Sequence, residues 1–313
     1  MVSIVIPVFN RAGMIRDAIE SVLDVSLSLP VEIIVVDDAS TDETWEILGK
    51  FGKAIRTVKL KQNGGQSAAR NVALDLAMGK FVKFLDSDDI LNATHLREEV
   101  EALDSSGAEI AVSGWSESWP GRELTTSVAP VFCSIVDDVI HGKAVPTSAA
   151  LYRRNSTWRW DPLLRKLDDW DYFCQAALGA SRIVTLQGSA YTWRQHGGNR
   201  ATSVSMLLNA KEHHYILRKI EAVLANNGLL TAPRARRMAQ YYYKELRVLS
   251  LHDRAAFAES VNHIRELDPR FQPFDEERLW YMRVAARLLG FERATLMHSK
   301  VKRAILGAAE LRG

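Results

Sequence analysis

The chain has 313 residues, of which 47% are hydrophobic and 25% charged, with a formal net charge of +2. This is the balance of a soluble globular protein with one large domain and an appendage. No stretch reaches the ~18 apolar residues needed to cross a bilayer, MVSIVIPVFN lacks the lead-in of a signal peptide, and Cys133 and Cys174 show no metal spacing, so a cytoplasmic protein with reduced thiols is expected.

In chain order, SIVIPVF (3–9) is an apolar β-run, and Met14, Ile15, Ala18, Ile19, Val22 and Leu23 then recur at helical spacing. EIIVVDD (32–38) predicts a second buried strand that ends in two aspartates. Ser40 and Glu43 have the spacing of a capping box for a helix around 45–48. TVKL (57–60) predicts a third strand. Ala69, Val72, Ala73, Leu76 and Ala77 line one face of the next helix, with Gly79 as its stop. A strand over 80–86, a helix over 93–103 and a strand over 109–115 follow. This alternation argues for a mostly parallel, doubly wound sheet.

Two of these strands end in carboxylates: Asp37 and Asp38 on one, Asp86, Asp88 and Asp89 on the other. Ligands of open α/β sheets sit at the carboxyl ends of strands. Clustered carboxylates raise one another's pKa unless a cation compensates, and an oxygen-rich site suits Mg²⁺ or Mn²⁺ shared with substrate phosphates. The plain alternative is an acidic turn in which Asp88 or Asp89 caps the helix starting near Asn92. No GxGxxG follows a strand, no Gly-Lys pair is followed by Ser or Thr, and no GxSxG or HExxH occurs, which disfavours dinucleotide, P-loop, esterase and zinc-protease chemistry.

The blocks SIVIPVFNR, VVDDASTDET, NGGQSAARN, FLDSDD and LDDWDYF, in this order, resemble those of family 2 glycosyltransferases of the GT-A fold over roughly residues 2–200. The resemblance implies a GT-A type nucleotide-diphospho-sugar transferase domain that transfers a sugar with inversion. Pro7, Phe9 and Asn10 would then flank the nucleotide base, and Asp38 would accept from a base N–H, with a UDP-sugar favoured. Gly64 and Gly65 would allow close approach of the chain, and Arg70 would reach the nucleotide or its phosphates unless it is merely solvated. Asp86 and Asp88 match the DxD element around Ser87: Asp86 is expected near the ribose and Asp88 on the metal, with Asp89 less defined. For Asp37, burial against backbone N–H groups is an equal reading.

Inversion requires a base opposite the departing diphosphate, and a positioned carboxylate can fill that role. In KLDDWDYF (166–173) the resemblance implies that the second acid, Asp169, is the base beside Asp168. Favourable charge at a helix N-terminus is the alternative for Asp168, Asp169 and Asp171 alike. Trp170 is either a sugar platform or core. Thr147 and Ser148, in VPTSAALYRR (145–154), would leave room for the acceptor. His196 is read as a metal or diphosphate contact or as a structural residue, and Arg194 and Arg200 as phosphate partners.

Residues 1–204 carry 21 Lys/Arg against 26 Asp/Glu, whereas residues 205–313 carry 19 against 12. The expected organisation is therefore a catalytic domain over 1–204 and a basic α-helical region over 205–313. In the latter, the interleaved apolar and basic positions of 279–306 suit either a packing helix or one lying on anionic lipid. The expectation is an inverting, metal-dependent glycosyltransferase using a nucleotide-diphospho-sugar donor and a glycan or lipid-linked acceptor in cell-surface polysaccharide synthesis. No nucleic-acid partner is expected, and location is cytoplasmic, with peripheral contact at the inner membrane face left open. A nucleotidyltransferase and a receiver-like signalling domain with Asp86 as phosphoacceptor are the alternatives.

Overall fold

The computed structural model describes residues 1–26, 29–195, 206–246, 249–271, 290 and 293–297. The chain divides into two compact units, Met1–Val139 with Lys143–Ala201, and Ile140–Gly142 with Thr202–Gly313. Through Arg194 the elements run β1 (Val2–Val8), α1 (Ile15–Ser26), β2 (Val31–Asp37), α2 (Thr44–Gly49), β3 (Arg56–Lys59), α3 (Gln66–Leu76), β4 (Phe81–Phe84), β5 (Ile90–Leu91), α4 (Ala93–Ser106), β6 (Ile110–Ser118), β7 (Thr125–Ser127), α5 (Ile135–Ile140), β8 (Ala150–Arg153), α6 (Asp168–Gly179) and β9 (Ile183–Arg194). The second unit contains α7 (Met206–Asn226), α8 (Ala232–Leu246), α9 (Leu249–His252) and α10 (Arg254–Leu267).

Among the described residues the strands form one sheet in the order β3-β2-β1-β4-β8-β6-β9-β5, with β7 beside β6. The first four strands of that order are parallel, as the helical crossovers require. Past β4 the sheet is mixed rather than mostly parallel: β8 runs antiparallel to both β4 and β6, β7 to β6, and β5 to β9. β6 and β9 are parallel again, and only the β6–β7 pair follows from a short connection, which makes antiparallel neighbours.

Every residue of β1 is buried, as expected of a parallel strand covered on both faces. Its pairing with β4 stops at Val5 opposite Phe84, extended by the Leu85 N–H donating to the Val5 carbonyl, while its pairing with β2 continues to Val8 opposite Asp37. Pro7 lies in this gap. Its missing N–H would point to the side that β4 has already left, so no ladder bond is lost. Strand order runs in both directions from β1, and here the strands part, which opens a crevice at their carboxyl ends.

Three local expectations are corrected. The capping box at Ser40 does not form: Ser40 Oγ accepts from the Asn10 N–H (3.0 Å), and the Thr44 N–H donates to Asp42 Oδ1 (3.0 Å). Gly79 does not end α3, which stops at Leu76; a Cβ there would lie 2.6 Å from the Ser3 backbone nitrogen, so close approach to β1 explains the glycine. Asn92, not Asp88 or Asp89, caps α4 by accepting from the His95 N–H (3.2 Å).

Beneath the sheet, Lys83 of β4 and Glu99 of α4 form a fully buried ion pair at 2.9 and 2.8 Å, completed by Ser113 Oγ of β6 at 2.8 Å. In the second unit Ile216, Leu217, Ile220 and Leu224 of α7 are buried, as are Tyr242 of α8 and Val261 and Ile264 of α10. Pro233 occupies the first turn of α8, where its missing N–H leaves no helical bond unmade. The basic stretch 279–306 lies almost entirely outside the described residues.

Candidate functional site

The crevice is floored by the ends of β1, β2 and β4. Both Asp38 oxygens accept backbone N–H groups, from Gly64 at 2.7 Å and Gly65 at 2.8 Å. Asp38 thereby pins the loop entering α3, a task the expected base contact did not foresee. Gly65 has φ +86°, a conformation that only glycine adopts at low cost. Asn10 has φ +49°, and its Oδ1 accepts from the Thr41 N–H (2.9 Å), so the loops after β1 and β2 brace each other. Phe9 is 41% exposed beside Asn10. Asp37 is fully buried, accepting from the Ser40 N–H (2.8 Å) with Lys59 Nζ at 3.7 Å, which is the structural role considered for it.

Arg70 is 1% exposed, so it does not present its guanidinium to a nucleotide as expected. Its two Nη atoms instead donate to Asp86 Oδ1 (2.7 Å) and Asp168 Oδ2 (3.0 Å). Burial opposes its charge, but the two carboxylates outweigh that and raise its pKa. Asp168 also accepts from Gln66 Nε2 (3.0 Å) and Ser67 Oγ (2.9 Å). The guanidinium lies 4.1 Å from the Trp160 ring centre, and Trp160 stacks on Tyr172 of α6 at 4.5 Å and 9°. Gln66 and Ser67 lie inside the NGGQSAARN block, whereas no motif in the sequence marks Trp160.

The carboxylate cluster at the end of β4 is crowded. Burial and the charges of Asp86 and Asp88 push Asp89 up to about 9, against a partial offset from the Arg194 N–H that donates to it at 3.1 Å. Asp86 keeps 40% of its side-chain surface accessible, yet burial raises its pKa too, with Asp88 adding to the rise and Arg70 opposing it. Asp88 Oδ2 faces Arg11 Nε at 3.3 Å, and Ser87 is buried. The Arg194 guanidinium donates to the Asp88 carbonyl (2.5 Å), Asp17 (2.6 Å) and the Met14 carbonyl (3.1 Å), which makes it a brace rather than the phosphate partner expected. Among the described residues no three His, Cys, Asp or Glu side chains converge as a metal site. Mg²⁺ bound with substrate phosphates needs only one or two protein carboxylates, and Mn²⁺ favours the same oxygen donors. Asp86 and Asp88 offer such oxygens even though Arg70 and Arg11 already offset part of their charge, so the donor chemistry fits such an ion. His196 and Arg200 lie outside the described residues.

On the far side, Asp169 is the second residue of α6, with Oδ1 accepting from the Trp170 N–H (2.7 Å). Burial and the adjacent Asp168 raise its pKa to about 7, with Arg70 opposing and Asp86 adding. That value suits a general base at neutral pH. Trp170 is 3% exposed, so it belongs to the core and offers no open face to a sugar. Thr147 is buried in a single helical turn with Ser148, whose Oγ accepts from the Asp86 N–H (3.3 Å).

Residues 3–125 match the model of glycosyl transferase family 2. TuaG of Bacillus subtilis, named for teichuronic acid biosynthesis, is 39% identical over 119 residues, 37% of this chain and 47% of TuaG. The poly(ribitol-phosphate) beta-N-acetylglucosaminyltransferase TarS of Staphylococcus aureus is 26% identical over 249 residues, 76% of this chain and 43% of TarS. The succinoglycan biosynthesis protein ExoO of Rhizobium meliloti is 28% identical over 257 residues, 76% of this chain and 72% of ExoO. The chain thus spans less than half the length of TuaG and TarS. The crystal structure of TarS 1–349 with UDP-GlcNAc superposes with a TM-score of 0.73 at 22% identity, covering 97% of this chain and 92% of that one, and establishes a common fold. The nucleotidyltransferase and receiver readings gain nothing from these matches. In sequence over residues 3–125, and in fold over nearly its whole length, the chain resembles the family 2 glycosyltransferases of GT-A type.

Proposed function

We propose that the chain is an inverting glycosyltransferase that moves a sugar from a nucleotide-diphosphate donor to a hydroxyl of a glycan or lipid-linked acceptor in cell-surface polysaccharide synthesis. One observation carries this reading: the Arg70 guanidinium joins the donor-side Asp86 to Asp168, the immediate neighbour of Asp169. Acidic donor-side groups and a carboxylate with a pKa near 7 therefore share one crevice. Asp169 takes the proton of the acceptor hydroxyl. The oxygen then bonds to the anomeric carbon as the bond to the diphosphate breaks, and a single displacement of this kind inverts the centre. Asp88, with the diphosphate oxygens, would hold Mg²⁺ or Mn²⁺, which supplies positive charge to the leaving group.

The UDP-GlcNAc bound to TarS makes a UDP-sugar the first donor to try. The test is release of UDP from a panel of UDP-sugars with Mn²⁺ and glycan acceptors, with the anomer of the product read by NMR. Inverted product from one donor is expected. Retained configuration, or no release from the UDP-sugars and then from a panel of other nucleotide-diphosphate sugars, rejects the reading.

A further inference from the structure

We propose that Arg70 is a positioning residue of the transferase centre: one guanidinium holds the donor-side Asp86 and the α6 carboxylate Asp168, and so sets both the place and the surroundings of the base Asp169. This deepens the transferase reading and rests on it. Arg70 is too buried to touch a substrate, so its effect has to pass through the groups it holds.

The geometry separates the acidic pair into an anchor and a base. Asp168 accepts from Arg70, Gln66 and Ser67 and is almost completely buried, which leaves it no room to receive an acceptor's proton. Asp169, one residue on, accepts from the backbone of Trp170. α3 is also tied to the loop that precedes α6, beneath the guanidinium. Asn71 Nδ2 donates to the Trp160 carbonyl (2.8 Å) and Asn71 Oδ1 accepts from the Trp160 N–H (3.0 Å), which fixes the ring between Arg70 and Tyr172. Lysine would keep the charge, but a compact ammonium has no planar fork to lie on Trp160 while reaching two carboxylates. The charged and titratable groups around Asp169 are Asp168 on its own helix, Arg70 from α3, Asp86 from the end of β4, Tyr152 from β8 and Tyr191 from β9.

The test compares Arg70→Gln, Arg70→Lys and Asp168→Asn in the full chain, with Asp169→Asn as control. It measures kcat/KM for transfer against pH and follows the Asp169 carboxyl by carbon NMR titration. Loss of the cation beside Asp168 favours the protonated form of Asp169. In Arg70→Gln the acid limb should therefore move up by about one pH unit, with a rate loss on the order of 10²-fold from misplacement. Removing the Asp168 charge favours the ionised form, so Asp168→Asn should move the limb down. Arg70→Lys should lose rate with the limb nearly in place. A purely structural role would not shift the two limbs in opposite directions. The NMR titration reads the same shifts without turnover, so a failed transferase reading is distinguishable from a failed role for Arg70. If Arg70→Gln does not fold, the downward shift in Asp168→Asn and the rate loss in Arg70→Lys decide. An Asp169 titration unmoved in the folded variants overturns the proposal.

Discussion

Replacing Asp169 by Asn should lower transfer by about 10²–10⁴-fold, the scale of general-base loss, and at the same time stabilise the fold at alkaline pH. The sign follows from the pKa. Burial and Asp168 raise Asp169 from an ordinary 3.8 to about 7. Below the lower value the carboxyl is protonated in both the folded and unfolded chains and carries no penalty. Between the two values the unfolded chain ionises first, so folding loses stability as pH rises, and above about 7 the full penalty is present. A rise of roughly three units corresponds to about 4 kcal/mol at 1.36 kcal/mol per unit. Asp169 is only half-buried, and solvent screening reduces this to about 1–3 kcal/mol. Asparagine keeps the hydrogen bond from the Trp170 N–H without the charge. Urea unfolding of wild type and Asp169→Asn at pH 4 and pH 8, in chelator, should give equal stabilities at the lower pH and a more stable variant at the higher. Equal stabilities at both, or the same gain at both, would refute the argument that burial strains the ionised base. Retained transfer by the variant would refute its role.

Asp88→Ala should abolish the metal dependence of UDP binding, and calorimetry that finds equal UDP affinity for the wild type with Mn²⁺ and with chelator would remove the ion from the site. Glu99→Ala should destabilise by about 3–5 kcal/mol, because it strands the buried Lys83 ammonium. The double replacement Lys83→Met with Glu99→Leu should recover most of that in urea unfolding, and no recovery would mean the loss comes from packing rather than charge. If the basic stretch 279–306 meets the membrane, each Lys or Arg near an anionic surface contributes ~1 kcal/mol. Binding to anionic vesicles should then fall steeply between low and physiological salt and vanish on removal of residues 279–313; absence of co-sedimentation at low salt argues for packing helices.

The sequence alone determined the alternation of strands and helices in the first 115 residues and the carboxylates that end two of the strands. Continuous apolar runs and helical periodicity are local signals, and charge at the end of a buried run is conspicuous wherever it occurs. The resemblance of five ordered blocks to family 2 glycosyltransferases, and not local periodicity, singled out Asp169 as the candidate base. What neighbours in space decide was not legible. The Ser40–Glu43 spacing promised a capping box, but the Asn10 N–H reaches Ser40 first. Gly79 looked like a helix stop until the proximity of Ser3 supplied its reason. Arg70 and Arg194 looked like phosphate partners, yet both guanidiniums are engaged by carboxylates or carbonyls distant in sequence. Trp160, 90 residues from Arg70, had no signature at all, because a ring becomes a platform only when folding lays a cation on it. Residue type and spacing report what a side chain can do. Which of its possible partners it takes depends on the tertiary structure, since hydrogen bonds and ion pairs act over a few ångströms between groups that the chain brings together from far apart.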